Sequence, residues 1–364
     1  MNKNIYKLGI LALALSMMMA IISACGSTTN SNGGSASPGG AGETGGGDAA
    51  AVTAGIVLLD LKNPFYVRMQ TAGTQAGKDY GVKTIWQSAD GSLEKQISIV
   101  ENFIEQKVDV ILIDPQDAKG IIPAIDKATS AGIPVITMGN KVEGNGNYNT
   151  LYPDYENESV VARIMGTALD GQGEIGLLTG NAGNYVSDNR EKGFMDTMTK
   201  EFPNIKVTAQ PTNWDPAQAQ RISETWLNNS KLDAIAFIND PLGLAAKGSA
   251  DAKGAKLLYA GYDGDVEMHD MINSGEMLVD VLTGAERVGY WNVAAAARIA
   301  KGSEMPIDLF MPTYFVMSDE TAAMLKDKGL EIEYITPEKA VEVGKDYSNE
   351  LGPDQPDERI SGEK

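Results

Sequence analysis

Short apolar runs alternate with longer amphipathic runs along most of this 364-residue chain, from about residue 53 to residue 317. Residues 53–60 contain Ile-Val-Leu-Leu and predict a buried strand. Asn63 and Pro64 then predict a helix start, because Asn accepts hydrogen bonds from free amides and Pro fits the first helical position. Because parallel strands need helical crossovers, the repeated pattern predicts an α/β fold with mostly parallel sheets.

The repeat divides into two similar α/β units, and the segments left over are too small for a third domain. They complete the two units if the chain crosses between them more than once. We predict an N-terminal lobe of residues 53–153 plus 284–311 and a C-terminal lobe of residues 154–283 plus 312–344. Residues 345–364 contain Gly, Pro and many charges and predict a disordered acidic tail.

The first residues predict export. Lys3 and Lys7 form a basic segment, and residues 8–22 form an apolar segment that is short for a membrane span. The residues that follow, Ile-Ser-Ala-Cys ending at Cys25, resemble the bacterial lipobox, in which the cysteine is acylated and becomes the new N-terminus. This resemblance implies an extracytoplasmic protein anchored to the cell membrane through Cys25. The alternative is an ordinary signal peptide with a chance cysteine.

Cleavage before Cys25 leaves residues 1–24 as the signal peptide. Residues 25–52 are rich in Gly and Ser and lack apolar periodicity, so they cannot bury enough surface to fold. They predict a flexible tether with a root-mean-square reach of roughly 25–30 Å.

Charge and composition exclude several classes of function. The chain has 30 Lys+Arg against 49 Asp+Glu, a net charge of -19, and no basic block, which argues against nucleic acid as a partner. One Cys excludes an internal disulfide. One His, His269, cannot supply the ligand clusters of zinc or iron sites. We therefore predict no metal and no cofactor.

Polar side chains follow nearly every predicted strand. In open parallel sheets, ligands bind beyond the carboxyl ends of the strands. No catalytic triad, phosphate-binding loop or dinucleotide motif accompanies these side chains, and Asn and Asp suit neutral hydroxyls. Any one of them could instead form a turn. The strand-end residues are Asp60, Asn63, Asp114, Asn140, Thr179, Asp215, Asn239, Asp240, Asp263 and Thr283.

Two aromatic residues and an arginine add to this polar set. Phe65 opens the first helix, and Trp214 directly precedes another, so their faces could sandwich the apolar faces of a pyranose ring. Arg190 offers a planar fork of donors. The alternative interpretation places Phe65 and Trp214 in the core or on a lobe surface.

Several short motifs resemble the type I periplasmic sugar-binding proteins of ABC importers, the ribose- and galactose-binding family. They are Asn63-Pro64-Phe65-Tyr66, Ile133-Pro134-Val135-Ile136-Thr137, Arg190 with Gly193-Phe194, Asn239-Asp240 and Gly261-Tyr262-Asp263-Gly264. The resemblance implies two Rossmann-like lobes, joined by three crossings, that close over one monosaccharide. The ligand positions that it implies are Asn63, Phe65, Tyr66, Asn140, Arg190, Trp214, Asn239, Asp263 and Thr283. Asp114 joins the site from its place after a strand.

Departures from the family leave the sugar open. Gly139-Asn140-Lys141 is similar to galactose- and glucose-binding members rather than ribose-binding members, which have Asp-Arg there. Yet the galactose and glucose binders have Asp at the position of Asn63, His at Asn184, Asp at Val186 and Asn at Thr283. Residues 170–174 are too short for the calcium loop of those members, so we predict no calcium.

The resemblance implies a monomeric lipoprotein, without enzymatic activity, that captures a galactose- or glucose-like monosaccharide and delivers it to the membrane permease of an ABC importer. A second hypothesis keeps the fold but passes the closed state to a chemoreceptor or sensor kinase. Another polyol, a nucleoside or an autoinducer could occupy the same groups. A sugar hydrolase would need paired carboxylates across the cleft, and Asp114 and Asp263 are the pair to test.

Overall fold

The computed structural model describes residues 52–362. The predicted signal peptide, Cys25 and the rest of the predicted tether before residue 52 lie outside the described residues. The described chain forms two lobes, each built on a six-stranded sheet with helices on both faces. This architecture confirms the predicted α/β fold with two Rossmann-like lobes.

The first sheet has the strand order β11-β5-β4-β3-β1-β2, and all neighbouring strands are parallel. The direction of strand addition reverses between β1 and β3, which opens a crevice at their carboxyl ends. The strands are β1 (Val52–Leu58), β2 (Val82–Ser88), β3 (Val110–Ile113), β4 (Val135–Met138), β5 (Tyr148–Leu151) and β11 (Asp308–Phe310).

The second sheet repeats this order as β12-β10-β9-β8-β6-β7, with β12 antiparallel to β10. Its switch point lies between β6 and β8. The strands are β6 (Gly173–Thr179), β7 (Ile205–Pro211), β8 (Ala234–Phe237), β9 (Leu258–Asp263), β10 (Met277–Leu282) and β12 (Tyr314–Val316).

Helices cover both faces of each sheet. The helices of the N-terminal lobe are α1 (Pro64–Tyr80), α2 (Leu93–Gln106), α3 (Ile122–Ser130), α9 (Ala285–Ala300), α12 (Tyr347–Leu351) and α13 (Asp357–Ser361). Those of the C-terminal lobe are α4 (Asp154–Ala168), α5 (Tyr185–Glu201), α6 (Pro216–Asn229), α7 (Asp240–Lys253), α8 (His269–Asn273), α10 (Asp319–Asp327) and α11 (Pro337–Lys345). Among residues 52–362, no helix combines the length and the apolarity that crossing a bilayer requires.

Capping side chains fix where several helices begin, and these starts lie beside the strand ends. Asn63 accepts from the Phe65 amide at 2.9 Å, as its position before Pro64 predicts. Asn184 caps α5 through the Ser187 amide at 3.0 Å, and Asp215 caps α6. Each cap holds a helix N-terminus close to the carboxyl edge of its sheet.

The chain passes between the lobes at short connections. Tyr152–Pro153 joins β5 to α4, Thr283–Gly284 joins β10 to α9, and residues 311–313 join β11 to β12. These are the three predicted crossings. A fourth passage occurs at Asp346, between α11 and α12.

The prediction of a disordered tail from residue 345 is wrong. Helices α12 and α13 dock on α9 and β11, and they bury Leu351 and Ile360 completely in the core of the N-terminal lobe. The Trp291 indole donates to the Ile360 carbonyl at 2.8 Å, and Arg298 pairs with Asp357 at 2.7 Å. The sequence misleads here because two buried apolar side chains are surrounded by charges, Gly and Pro.

Candidate functional site

Asp114, Asn140 and Tyr66 form the polar group of the N-terminal lobe. Asp114 directly follows β3, Asn140 follows β4, and Tyr66 lies in the first turn of α1. The Asn140 amide nitrogen lies 3.5 Å from an Asp114 oxygen, and the Tyr66 hydroxyl also bonds to the Asp114 carboxylate. Burial raises the pKa of Asp114 to about 7, although these two donors oppose the rise. The pair Asp114–Tyr66 can therefore both donate and accept.

Arg190 and its partners form a buried polar group in the C-terminal lobe. The Arg190 Nε donates to Asp154 at 2.8 Å, and an Nη donates to the Ile238 carbonyl at 2.7 Å. The guanidinium carbon lies over the Tyr262 ring, 3.5 Å from its centroid. Because Arg190 is 4% exposed, these contacts fix its plane.

Asp263 links the remaining polar residues of this lobe. It accepts from the Asn239 amide at 2.6 Å, its carboxylate lies 3.7 Å from Arg190, and its carbonyl accepts from the Thr283 amide at 3.1 Å. Burial raises the pKa of Asp263 to about 7, and Arg190 opposes the rise. Its φ of 130° lies in a region that non-glycine residues rarely adopt, and such strain clusters at functional sites.

The predicted aromatic residues lie in different lobes. Phe65 contacts Tyr66 edge to face, with ring centroids 5.5 Å apart. Trp214 has a left-handed backbone with a φ of 59°, and its indole packs on Gly180, where an added Cβ would lie 2.3 Å from the ring. Both residues are half-buried.

Asn63 stands apart from these clusters. Its side chain is exposed, and its Oδ1 is engaged in capping α1, so only the amide nitrogen remains for a ligand. Asp215 is likewise occupied as the cap of α6. The structure therefore brings together Tyr66, Asp114 and Asn140 in one lobe and Arg190, Asn239, Asp263 and Thr283 in the other.

Two contacts join the edges of the lobes. The Asn184 amide donates to the Asn140 Oδ1 at 2.9 Å, and Arg68 in α1 donates to Asp265 at 2.7 Å. Asp265 follows the strand that carries Asp263. These bonds hold the two polar groups face to face.

Tyr152 is a site residue that sequence reasoning missed. It lies in the first crossing, its ring is 3.7 Å from an ideal Cβ on Gly139, and burial, followed by the nearby charge of Asp154, raises its pKa. The sequence contains a signal for it, because Tyr152 directly follows β5, and the carboxyl ends of parallel strands lie at the same edge of a sheet.

The site contains neutral amides, phenols and two carboxyl groups with raised pKa values, so it suits hydrogen bonding to hydroxyls. Within residues 52–362, no three His, Cys, Asp or Glu side chains are grouped as a metal site would require. The prediction that the protein binds no metal stays a prediction.

Comparison with known proteins identifies the family. The family model of the periplasmic binding protein domain matches residues 54–304. The ribose import binding protein of Bacillus subtilis is 26% identical over 263 residues, which cover 71% of this chain and 85% of that protein. The D-allose-binding periplasmic protein of Escherichia coli is 26% identical over 275 residues, which cover 71% and 88%. The xylitol-binding protein of Mycolicibacterium smegmatis is 26% identical over 295 residues, covering 78% and 80%.

Solved structures have the same fold. An ABC transporter periplasmic solute binding protein from Actinobacillus succinogenes, with bound D-allose, gives a TM-score of 0.69 at 23% identity and covers 74% of this chain and 99% of its own. A solute binding protein from Bacillus halodurans, with bound myo-inositol, gives 0.69 at 22% identity, with 82% and 99% covered. The chain therefore belongs to the periplasmic binding protein family and has the fold of its type I sugar-binding members, which serve ABC importers.

Proposed function

We propose that this chain is an extracytoplasmic solute-binding protein that captures a neutral monosaccharide or related polyol by lobe closure and delivers it to the permease of an ABC importer. One observation carries the proposal: polar side chains of the two lobes meet, and the Asn184 amide of one lobe donates to the Asn140 Oδ1 of the other at 2.9 Å. Ligand contacts from both lobes favour the closed form over the open one.

The ligand proposal rests on the chemistry of the site. Asn140, Asn239 and Thr283 are uncharged, and the carboxyl groups of Asp114 and Asp263 are partly neutral at pH 7 because burial raises the pKa of both to about 7. The relatives named for ribose, D-allose and xylitol share a polyhydroxyl ligand without charge. We propose that a galactose- or glucose-like pyranose lies between the aromatic faces of Phe65 and Trp214, which would contact its apolar faces.

A thermal-shift screen tests the ligand class. Ribose, allose, galactose, glucose, xylitol, myo-inositol and a set of nucleosides are each added in excess to the purified protein. A ligand of the folded state raises the Tm, by mass action. A rise with one sugar or polyol supports the proposal, whereas a rise only with nucleosides, or none across the panel, contradicts it.

Two aromatic variants then test the sandwich. With the sugar found in the screen, Phe65→Ala and Trp214→Ala should each lower affinity by about 10-fold in calorimetry. Phe310→Ala is the matched control, because Phe310 is 41% exposed and lies on β11, the edge strand farthest from β1 and β2. Unchanged affinity in the double variant would show that the rings do not hold the ligand.

Further experiments with the same sugar test whether the protein serves transport and whether it binds the sugar without altering it. Members of this family are substrate-binding transport proteins, which supports a binder over an enzyme. Deleting the gene should abolish uptake of the radiolabelled sugar; retained uptake with lost chemotaxis or signalling would favour a sensor. Recovery of an altered sugar by chromatography, with the alteration lost in Asp114→Asn or Asp263→Asn, would favour a hydrolase.

The proposal includes a monomeric protein. Light scattering should therefore give a single mass, that of one chain.

The membrane anchor belongs to the same proposal. Cys25 follows an apolar segment and small residues, and this pattern supports acylation. Cells fed an alkyne-labelled fatty acid should yield a labelled protein in the membrane fraction, and Cys25→Ser should lose the label and leave that fraction. Label on the Cys25→Ser protein would place the lipid elsewhere.

A further inference from the structure

The fourth connection between the lobes, at Asp346, is very short. Helix α11 packs on α8 of the C-terminal lobe and buries Ala340 there, whereas α12 packs on α9 of the N-terminal lobe and buries Leu351. Asp346 is the one residue between the two helices. The C-terminal segment is therefore anchored in both lobes, with a single residue between its anchors.

Glu350 in α12 extends this connection through its side chain. Its carboxylate accepts from the Arg287 guanidinium at 3.1 Å and from the Tyr314 hydroxyl at 2.6 Å. Arg287 lies in the first turn of α9, in the N-terminal lobe, and Tyr314 begins β12, in the C-terminal lobe. One carboxylate thus bonds to both lobes.

Arg287 carries the connection to two other crossings. Its guanidinium also donates to the carbonyls of Thr283 and Pro312, each at 3.2 Å. The Arg287 side chain is 0% exposed and that of Glu350 is 10% exposed. A buried charge without its partner is strongly unfavourable, so Arg287 holds Glu350 in place. Three of the crossings therefore meet at one ion pair.

We propose that Glu350, Arg287 and Tyr314 form a hinge brace that sets the angle between the lobes, with Glu350 as a positioning residue for closure. Lobe rotation in this fold changes the backbone angles of the few residues in the crossings. Rotation that moves β12 relative to α12 must stretch or break the Tyr314–Glu350 bond. The brace restrains lobe movement whatever the ligand is, so its test needs no sugar.

Tyr314→Phe is the variant that isolates the brace. It removes the hydroxyl that bonds to Glu350 but keeps a ring beneath Arg287, whose guanidinium lies 5.2 Å from the ring centroid. The buried Arg287–Glu350 pair is untouched, so the protein should fold. Tyr334→Phe is the matched control, because Tyr334 donates to Asp319 at 2.7 Å within the C-terminal lobe.

Interlobe distance is the measurement. Spin labels are placed on exposed loop positions after β3 and β6 by Lys119→Cys and Ala182→Cys, in the full chain carrying Cys25→Ser so that no other thiol is labelled. Double electron–electron resonance of the ligand-free protein then reports the opening between the lobes.

We expect Tyr314→Phe to broaden the distance distribution and lengthen its mean by more than about 2 Å, whereas Tyr334→Phe leaves it unchanged. Glu350→Gln, which also removes the charge, should produce a shift at least as large. A Tyr314→Phe distribution that superimposes on that of the parent protein would overturn the proposal. An equal shift in Tyr334→Phe would overturn it too, because any lost tyrosine bond would then have the same effect.

Discussion

Arg68 in one lobe and Asp265 in the other form an ion pair with an N–O distance of 2.7 Å. Asp265 is itself held in place, because its amide donates to the buried carboxylate of Asp240 at 2.8 Å. The Arg68 side chain is 34% exposed, so water and salt screen the pair in part. The contact favours the closed form without touching the proposed ligand residues.

Arg68→Gln should therefore weaken closure. We expect the bound sugar to dissociate about 2- to 5-fold faster in stopped-flow measurements, the range that a partly exposed ion pair supports. Added salt should speed dissociation from the parent protein more than from the variant. The control is Arg163→Gln, since Arg163 pairs with Glu201 inside one lobe. Equal sugar dissociation rates for Arg68→Gln and the parent protein would show that this ion pair does not stabilise the closed form.

Stability should depend on pH through Asp114. Because burial raises its pKa to about 7, the native state keeps a proton that the unfolded chain releases near pH 4. The contribution of this proton to the free energy of unfolding is complete below pH 4 and is lost as the pH rises through 7. Asp114→Asn, which stays uncharged, should gain stability over the parent protein by up to about 1.4 kcal/mol per pH unit from pH 4 to 7 and then hold a constant advantage.

Asp117 provides a control of opposite sign for that measurement. The amides of Gly120 and Lys119 lower the pKa of Asp117, so its contribution is present at neutral pH and is lost as the pH falls through the lowered value. Asp117→Asn should therefore be less stable than the parent protein at pH 7, with the gap closing in acid. Urea unfolding at several pH values measures both variants; an Asp114→Asn advantage that is independent of pH would contradict the raised pKa.

Gly180 should control the position of Trp214. A Cβ there would lie 2.3 Å from the indole, so Gly180→Ala displaces the ring from its place. We expect sugar affinity in calorimetry to fall by about 2- to 10-fold, the worth of one aromatic contact. Gly248→Ala is the control, because an ideal Cβ there meets nothing within 4 Å. If Gly180→Ala and Gly248→Ala bind the sugar with equal affinity, the packing of Trp214 on Gly180 does not contribute to binding.

The docked C-terminal segment should contribute to stability. Leu351 is fully buried, and Leu351→Ala should lower the free energy of unfolding by about 2–5 kcal/mol in urea denaturation. Leu244→Ala is the matched control: Leu244 is 41% exposed, so its loss should change stability by no more than about 0.5 kcal/mol. A loss as small for Leu351 as for Leu244 would mean that α12 does not dock.

Local patterns predicted where helices and strands begin better than which of them pack together. The Asn63-Pro64 pair predicted the start of α1, because capping depends on neighbouring residues only. The fate of Leu351 and Ile360 depended on α9, about 60 residues earlier in the chain, and no local pattern records such a distant partner.

The candidate site shows the same division. Asp114, Asn140, Asn239 and Asp263 were predicted because parallel strands place their carboxyl ends on one edge. The pairing of Arg190 with Asp154 joins side chains 36 residues apart, and the role of Asp154 could not be predicted from its position at the start of a helix.

Arg190 is held in one orientation by residues of the protein itself. Asp154, the Ile238 carbonyl and the Tyr262 ring fix its orientation, and its side chain is almost completely buried. A long side chain that is immobilised on binding costs on the order of 1 kcal/mol in lost rotamer freedom. The Arg190 side chain is already immobilised by folding. A hydroxyl that binds to the guanidinium therefore gains the hydrogen bond without a further loss of rotamer freedom in the arginine.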